Sequence, residues 1–478
     1  MARLQAYVLA RDTPDPAIER LLAATSKHRA ASPKAAGALL VELGAWDRHE
    51  DVDLWRSGVL DPLPQGACDV AAQPEMPLGA LPRLDLPFVT IDNDAPHEVD
   101  DAVWAERVTG GVRLWVAIAS PTCWLRPGHP ADVEAGRRGA TLYHPRHVVG
   151  MLPDVLARDL ASLVPGKWLP ALVFSATVAP DGSLRDGDVR EAEVRVASAW
   201  RYSHLDAVLA GKADPGPVDV DLLQLLLQTC LSSEASRIAA GAWLLYKPEV
   251  DVTAPAHRPV EIRESSQTSP ARRLVTEAMV LAGHVAGRFS RAHALAVPYR
   301  SQPRPQGALP PGLYSEPAEV YAVLKALLPA RTSVEAEPHG VMGVDAYVQV
   351  TSPLRRYADI VAHRQIIAWL RGQPPAVAPD TLPVVLGRAD QGGAERRQWQ
   401  RRADRYFKLV WLAERGVGTH LQAQLVRPLA NGQVLAYVPA LALEVPVGAG
   451  RREVGDRVTL VVRSVTPAAA ELTVAVVG

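Results

Sequence analysis

The chain has 478 residues, 48% of them apolar, with a formal charge of −1 and a mean hydropathy of zero. That length supports several domains around a sizeable core, and no apolar run approaches the roughly 18–20 residues of a membrane-spanning helix. Cys68, Cys123 and Cys230 are scattered without a Cys-x-x-Cys pair, which argues against a disulfide scaffold and a structural zinc site.

Charge interrupts the first residues too early for a secretory signal, so a cytoplasmic protein with no membrane partner is expected. Residues 1–60 read as helical. Asp15-Pro16 and Ser32-Pro33 each set a capping residue before a proline. Ile18, Leu21 and Leu22 follow the first, and Leu39, Leu40 and Leu43 the second, at helical spacing. With a third helix around Leu54-Trp55, this is either a helix-turn-helix or winged-helix module or a helical cap packed on the main domain. Residues 61–83 carry Pro62, Pro64, Pro74, Pro77 and Pro82 and read as a linker.

Strand patterns follow. Phe88 to Ile91 is a short apolar run, and Val103 to Ala119 reads as a hairpin turning at Gly110-Gly111. Helices are expected at 218–245, 270–290, 317–328, 353–371 and 390–415, within a mixed region ending near Arg415. In the last of them, Trp399, Ala403, Tyr406 and Val410 would face inward. From 416 to 478, short alternating runs (421–426, 434–438, 458–465, 472–476) are separated by turns such as Asn431-Gly432 and Gly455-Asp456. Such a tail fits a five-stranded OB-fold barrel. Its obvious aromatic is Tyr437. Arginine makes up 44 of the 51 basic residues, but with a net charge near zero, bulk charge names no nucleic-acid partner.

Two segments carry chemistry. In the first, Thr90-Ile91-Asp92-Asn93-Asp94-Ala95-Pro96-His97-Glu98-Val99-Asp100-Asp101-Ala102, Asp92 closes one strand while Asp100 and Asp101 open the next. Carboxylates gathered there repel one another unless a hard divalent cation lies between them, and oxygen-only ligands favour magnesium or manganese over zinc. Adjacent strand residues face opposite ways, so either the strand starts after Asp101 or the two acids serve different roles. In the second, Thr351-Ser352-Pro353-Leu354-Arg355-Arg356-Tyr357-Ala358-Asp359, Ser352 is expected to cap a helix with Pro353 in its first turn. Leu354, Tyr357, Ala358 and Val361 would form its buried stripe. Free N–H groups at such a start attract phosphate, and Arg355 would add a charge-assisted contact. A metal cluster together with an anion site is what phosphodiester hydrolysis needs.

Together the two segments resemble the catalytic domain of the RNase II/RNase R exoribonucleases, the RNB domain. Ala117-Ile118-Ala119, Tyr143-His144-Pro145, Met151-Leu152-Pro153 and Ser162-Leu163-Val164-Pro165-Gly166 match the family in character. The resemblance implies an α+β fold: an RNB-type catalytic domain over 84–415, a helical helix-turn-helix-like module before it, and an RNA-binding OB-fold of the ribosomal S-one type after it. Family members usually carry paired cold-shock barrels ahead of the catalytic domain, and those are expected to be absent here. The implied activity is magnesium-dependent 3′→5′ hydrolysis of single-stranded RNA with a free 3′ end, releasing nucleoside 5′-monophosphates, by a monomer. By position, Asp92, Glu98, Asp100 and Asp101 would hold metal, with Glu98 standing where the family has Asp. Asp100, Asp101 and Arg355 would act in catalysis, with Arg355 on the phosphate, Tyr143 positioning the terminal nucleotide and Glu395 packing against the last bases. The alternative is a catalytically impaired RNA-binding regulator on the same fold.

Overall fold

The computed structural model describes residues 2–9, 15–25, 31–72, 80–307, 309–448 and 450–477. Four helices come first: α1 (Ala2–Leu9), α2 (Pro16–Thr25), α3 (Pro33–Glu42) and α4 (Val52–Ser57). Asp15 Oδ1 accepts from the Ala17 and Ile18 N–H groups, and Ser32 Oγ accepts from that of Ala35. Those are donors that a helix start leaves unpaired. Leu4, Val8, Ile18, Leu22, Ala36 and Leu40 close a small core between these helices.

The stretch expected to be a linker is partly structured. Ala67–Ala72 forms a 3-10 turn whose Ala67 and Val70 are buried in the main core. Residues three apart share one face of such a turn, a signal masked by the surrounding prolines. Pro74 and Pro77 lie outside the described residues.

The centre of the molecule is a closed barrel. Strand β1 (Arg83–Asp92) starts ahead of the apolar run at Phe88, because register shifts around Pro87 carry it past a residue with no N–H to donate. It pairs with β2 (Asp101–Val108), which turns into β3 (Gly111–Ala119) as expected. A Cβ on Gly111 would meet the Val178 carbonyl oxygen at 2.1 Å, so that turn needs glycine. After helix α5 (Pro130–Arg138) and a short pair, β4 (Leu142–Tyr143) with β5 (Val148–Val149), the sheet resumes in β6 (Trp168–Val178) and β7 (Leu184–Arg201). β7 runs parallel to β1 and closes the barrel in the order β1-β2-β3-β6-β7.

Helices α6 (Tyr202–Leu209) and α7 (Val220–Ala239) follow, then β8 (Trp243–Leu245), β9 (Glu249–Thr253), β10 (Glu261–Ser265) and α8 (Pro270–Ala292). Next come β11 (Tyr299–Ser301), β12 (Gly312–Tyr314), α9 (Pro317–Ala326), β13 (Arg331–Ser333), α10 (Tyr357–Leu370) and the 34-residue α11 (Leu382–Arg415). Alternation along the barrel strands feeds two cores. Leu114, Val116 and Ile118 pack with α7 and α8, while Trp115, Ala117 and Ala119 pack with α5, α10 and α11. The helix expected over 218–245 stops at Ala239, where Gly241 turns left-handed (φ 100°) and releases the chain into β8. Helix α11 starts eight residues before its expected position, because Leu382, Leu386 and Ala389 extend its buried stripe. None of the described helices is long and apolar enough to cross a membrane.

The tail folds as β14 (His420–Pro428), β15 (Gln433–Val438), β16 (Leu443–Gly448), β17 (Arg457–Thr466) and β18 (Glu471–Val477), in the order β16-β15-β14-β17-β18. β16 stands beside β18 and nearly closes the barrel, which is OB-fold topology. β16 is hidden in the sequence because Pro446 interrupts its alternation, and an edge strand tolerates that. Tyr437, the obvious aromatic of the tail, offers no face to solvent. It is fully buried against Tyr321, Val426 and Leu435, and its hydroxyl donates to the Pro248 carbonyl.

Candidate active site

The barrel places the acidic segment at the ends of two strands. Asp92 is the last residue of β1 and Asp101 the first of β2, and the loop between them is pinned from three sides. Val99 N–H donates to Ser162 Oγ (3.0 Å) and its carbonyl accepts from Leu163 N–H (3.0 Å). Arg201, register partner of Asp92 across the parallel pair, donates to the Asn93 carbonyl (2.7 Å). Arg272 reaches the Asn93 side chain at 2.9 Å.

The loop over 351–356 meets this cluster from the far end of the sequence. Leu354 N–H donates to Asp100 Oδ1 at 2.9 Å, and Arg355 Nε lies 3.5 Å from Asp100 Oδ2. Backbone bonds between 139–141 and 355–357 (Thr141 N–H to the Arg355 carbonyl, Tyr357 N–H to that of Gly139) set Arg355 close to Tyr143. Asp92, Glu98, Asp100, Asp101, Tyr143 and Arg355 line one cavity of about 720 Å³.

The helix start differs from its expectation. Ser352 and Pro353 lie in an irregular turn, and α10 begins only at Tyr357. The cause is Asp359, a fully buried carboxylate that accepts from Ser352 N–H (2.8 Å) and pairs with Arg356 (2.7 Å), folding 351–356 back on itself. Leu354 N–H goes to Asp100, Arg355 and Arg356 N–H to the Ser352 carbonyl, and Tyr357 N–H to Gly139. No free set of N–H groups remains there for a phosphate, and the Arg355 side chain is a charged donor that the 351–356 turn presents to the cavity. The stripe itself largely holds: Leu354, Tyr357 and Val361 are buried and Ala358 is half-buried.

The acids differ in their surroundings. Asp100 is bonded to the 351–356 loop, whereas Asp101 accepts no hydrogen bond from any described residue. The two neighbours thus serve different partners. Burial pushes Asp100 up to about 7 although Arg355 and the Leu354 N–H oppose it. Burial, joined by repulsion from Asp100 and Asp92, pushes Asp101 up to about 8. Burial also raises Asp92. Arg355 stays well charged because Asp100 and the acids around it outweigh the cost of burial.

Glu98 is engaged differently. It accepts from the Tyr143 hydroxyl and contacts His97 Nδ1, and its side chain is 4% exposed. It thereby holds Tyr143, whose own pKa is raised by burial and by Glu98.

Among the described residues, no group of three or more His, Cys, Asp or Glu stands together as a ready ligand set. The donor chemistry nevertheless suits a hard divalent cation: three carboxylates, Asp100 buried and Asp92 and Asp101 half-buried, share one cavity, and Asp101 resists ionising beside the other two.

Glu395 is exposed on α11 and does not line this cavity, because its neighbour Arg396 is the buried one, donating to the Arg138 carbonyl. Gln400 and Asp404, further along the same helix, do line it. Asp404 is an acid set among arginines, one helical turn from Gln400 and from Lys408, and that spacing was a legible signal. Of the four α11 residues expected to face inward, Ala403 and Val410 are buried and Trp399 and Tyr406 half-buried. Tyr202, which opens α6 beneath the Arg272 guanidinium (4.5 Å), also lines the cavity. No sequence signal marks it, since the β1–β7 pairing alone brings it there.

Comparison with known proteins fits this geometry. The model of the RNB domain matches residues 83–309 and 314–372. An uncharacterized ribonuclease of Synechocystis is 32% identical over 446 residues, 90% of this chain and 66% of its own length. Ribonuclease R of Escherichia coli is 30% identical over 329 residues, 61% of this chain and 40% of that protein. The chain thus spans two-thirds or less of the length of these relatives. Mycoplasma genitalium RNase R, solved with ribose-methylated single-stranded RNA, superposes with a TM-score of 0.76 at 17% identity, over 92% of this chain and 78% of that one. A yeast pseudonuclease superposes with a TM-score of 0.60 at 15% identity, over 84% and 54%. At such identities the solved structures speak for the fold alone.

Proposed function

The chain belongs to the RNB-domain family of ribonucleases, and from that premise we propose that it is a magnesium-dependent hydrolase of single-stranded RNA. It would work from the 3′ end and release nucleoside 5′-monophosphates. The observation that carries this reading is the meeting of Asp92, Asp100, Asp101 and Arg355 at one cavity.

Asp92, Asp100 and Asp101 would hold the ion, with manganese as a substitute. Bound magnesium supplies a lowered pKa for water and an offset to charge growing on the phosphoryl group. Water attacks the phosphorus, the P–O3′ bond breaks, and the departing O3′ takes up a proton. The terminal nucleotide then leaves with its 5′-phosphate. Arg355, on a turn fixed by Asp359, offers planar donors to the phosphoryl oxygens where negative charge builds. Tyr143, held by Glu98, forms a wall against which the terminal nucleotide packs. The cavity accepts single strands, whose bases are free to stack.

A second reading, an RNA-binding regulator without catalysis, gains support from Glu98 standing where the family has Asp and accepting from the Tyr143 hydroxyl. The test is digestion of end-labelled single-stranded RNA, with 3′-blocked RNA as control. Magnesium-dependent shortening to mononucleotides is expected, and Asp100→Asn should keep RNA affinity while losing at least about 100-fold in rate. Retained RNA with no shortening in magnesium or manganese would establish the regulator instead.

A further inference from the structure

Tyr143 stands on a hairpin too small to hold its own shape. β4 and β5 contribute two residues each, and the turn closes by His144 N–H to the His147 carbonyl (3.0 Å) and its reciprocal (3.1 Å). Two-stranded ribbons are marginal even when longer. The anchor comes from the N-terminal helical module. Arg146, at the hairpin tip and with a side chain only 6% exposed, donates from Nη1 to Asp47 (2.7 Å) and from Nη2 to Glu50 (2.8 Å).

Its fork therefore grips two separate carboxylates, which a lysine ammonium does not reproduce. Arg146 Nε has no acceptor among the described residues, so these two acids compensate the buried charge. The acids are themselves fixed. Asp47 accepts from His257 N–H (2.9 Å), Glu50 accepts from Trp55 Nε1 (3.0 Å), and His49 between them meets the Tyr406 hydroxyl of α11 (2.9 Å). His144 lines both the acid-lined cavity and a second cavity of about 350 Å³ between the module and α11. The His144 side chain thus touches both the module's groove and the candidate active site.

We propose that Asp47 and Glu50, acting through Arg146, are positioning residues that set Tyr143 against the terminal nucleotide, so that the N-terminal module forms part of the hydrolytic site. This rests on the nuclease reading above. The force path runs from the module to the hairpin tip, along two-residue strands, to the tyrosine hydroxyl on Glu98. Loosening the tip frees the ring without touching Asp92, Asp100 or Asp101.

The test uses the full chain carrying Asp47→Asn and Glu50→Gln together, with Arg146→Lys as a second variant in case the first loses its fold. Amide exchange over 141–149 should quicken about tenfold while the rest of the catalytic domain stays protected. On single-stranded RNA, kcat should fall about tenfold with KM nearly unchanged. In a Tyr143→Ala background the same substitutions should cost nothing further, since both act through one ring. Unchanged hairpin exchange overturns the proposal, and so does a loss that adds fully to that of Tyr143→Ala. A wild type that hydrolyses no RNA sinks the nuclease reading instead, and exchange still decides whether the module holds the hairpin.

Discussion

Asp100 and Asp101 show how much two neighbouring carboxylates can differ. One is tied to Leu354 and Arg355; the other faces the cavity with no donor from the described residues. Without a cation both are pushed up, to about 7 and about 8, by burial first and by their neighbours' charge second. Unfolded aspartate titrates near 3.9, so between about pH 4 and these values the folded protein binds more protons than the unfolded chain. The stability this lends is present in full below about pH 4 and is lost as pH rises through 7 to 8. The metal-free protein should therefore melt at a lower temperature at pH 8 than at pH 5.5. Magnesium, competing with those protons, should raise Tm more at pH 8. Thermal scans at both pH values with and without magnesium check this, and equal gains at the two would remove these acids from metal binding.

At the scale of elements, the site depends on where chain segments stop. Gly139 ends α5 with a φ of 69°, and its carbonyl accepts the Tyr357 N–H that starts α10. A Cβ there would lie 1.9 Å from the Ala389 carbonyl oxygen of α11. Three helices thus converge on one residue without a side chain, and the pairing that leads to Arg355 begins there. Gly139→Ala should cost at least about 2–3 kcal/mol, from backbone strain together with overpacking. Urea unfolding would measure it, and a change within about 0.5 kcal/mol would mean that α11 can give way. By contrast, the 34 residues of α11 pass Gly392, which lies against the Arg137 carbonyl, so the helix leans closely on α5 and carries Gln400 and Asp404 to the cavity.

At the scale of the whole molecule, the C-terminal barrel is docked rather than tethered. Leu409 and Leu412 of α11 enter the core of the C-terminal barrel. Tyr437 of that barrel packs on Tyr321 of α9, where Lys247 lies over both rings (4.9 and 4.7 Å) and bridges to Glu444. Tyr437 is therefore a docking residue. Tyr437→Ala should cost about 3–5 kcal/mol by leaving a cavity, with RNA affinity of the folded protein little changed. Stability measured by denaturant and affinity by titration with labelled RNA separate the two. Unchanged stability with weakened binding would return this ring to an RNA-contacting role.

The sequence by itself determined whatever rests on local periodicity and on residue type. The hairpin at Gly110-Gly111, the caps at Asp15 and Ser32, the alternating runs of the tail and the acids flanking β1 and β2 are all encoded within a few residues. Only the tertiary structure decided what depends on partners far along the chain. Asp359 and Asp100 occupied the N–H groups of a helix start that Ser352-Pro353 promised, and Arg396 took the buried face that left Glu395 outside. Tyr437 was withdrawn from solvent by α9, and Tyr202 was delivered to the cavity by a parallel strand pairing. Local patterns set which conformations a segment prefers. Which polar groups remain free, and which side chains meet, follows from desolvation and hydrogen bonding between segments that are neighbours only once the chain has folded.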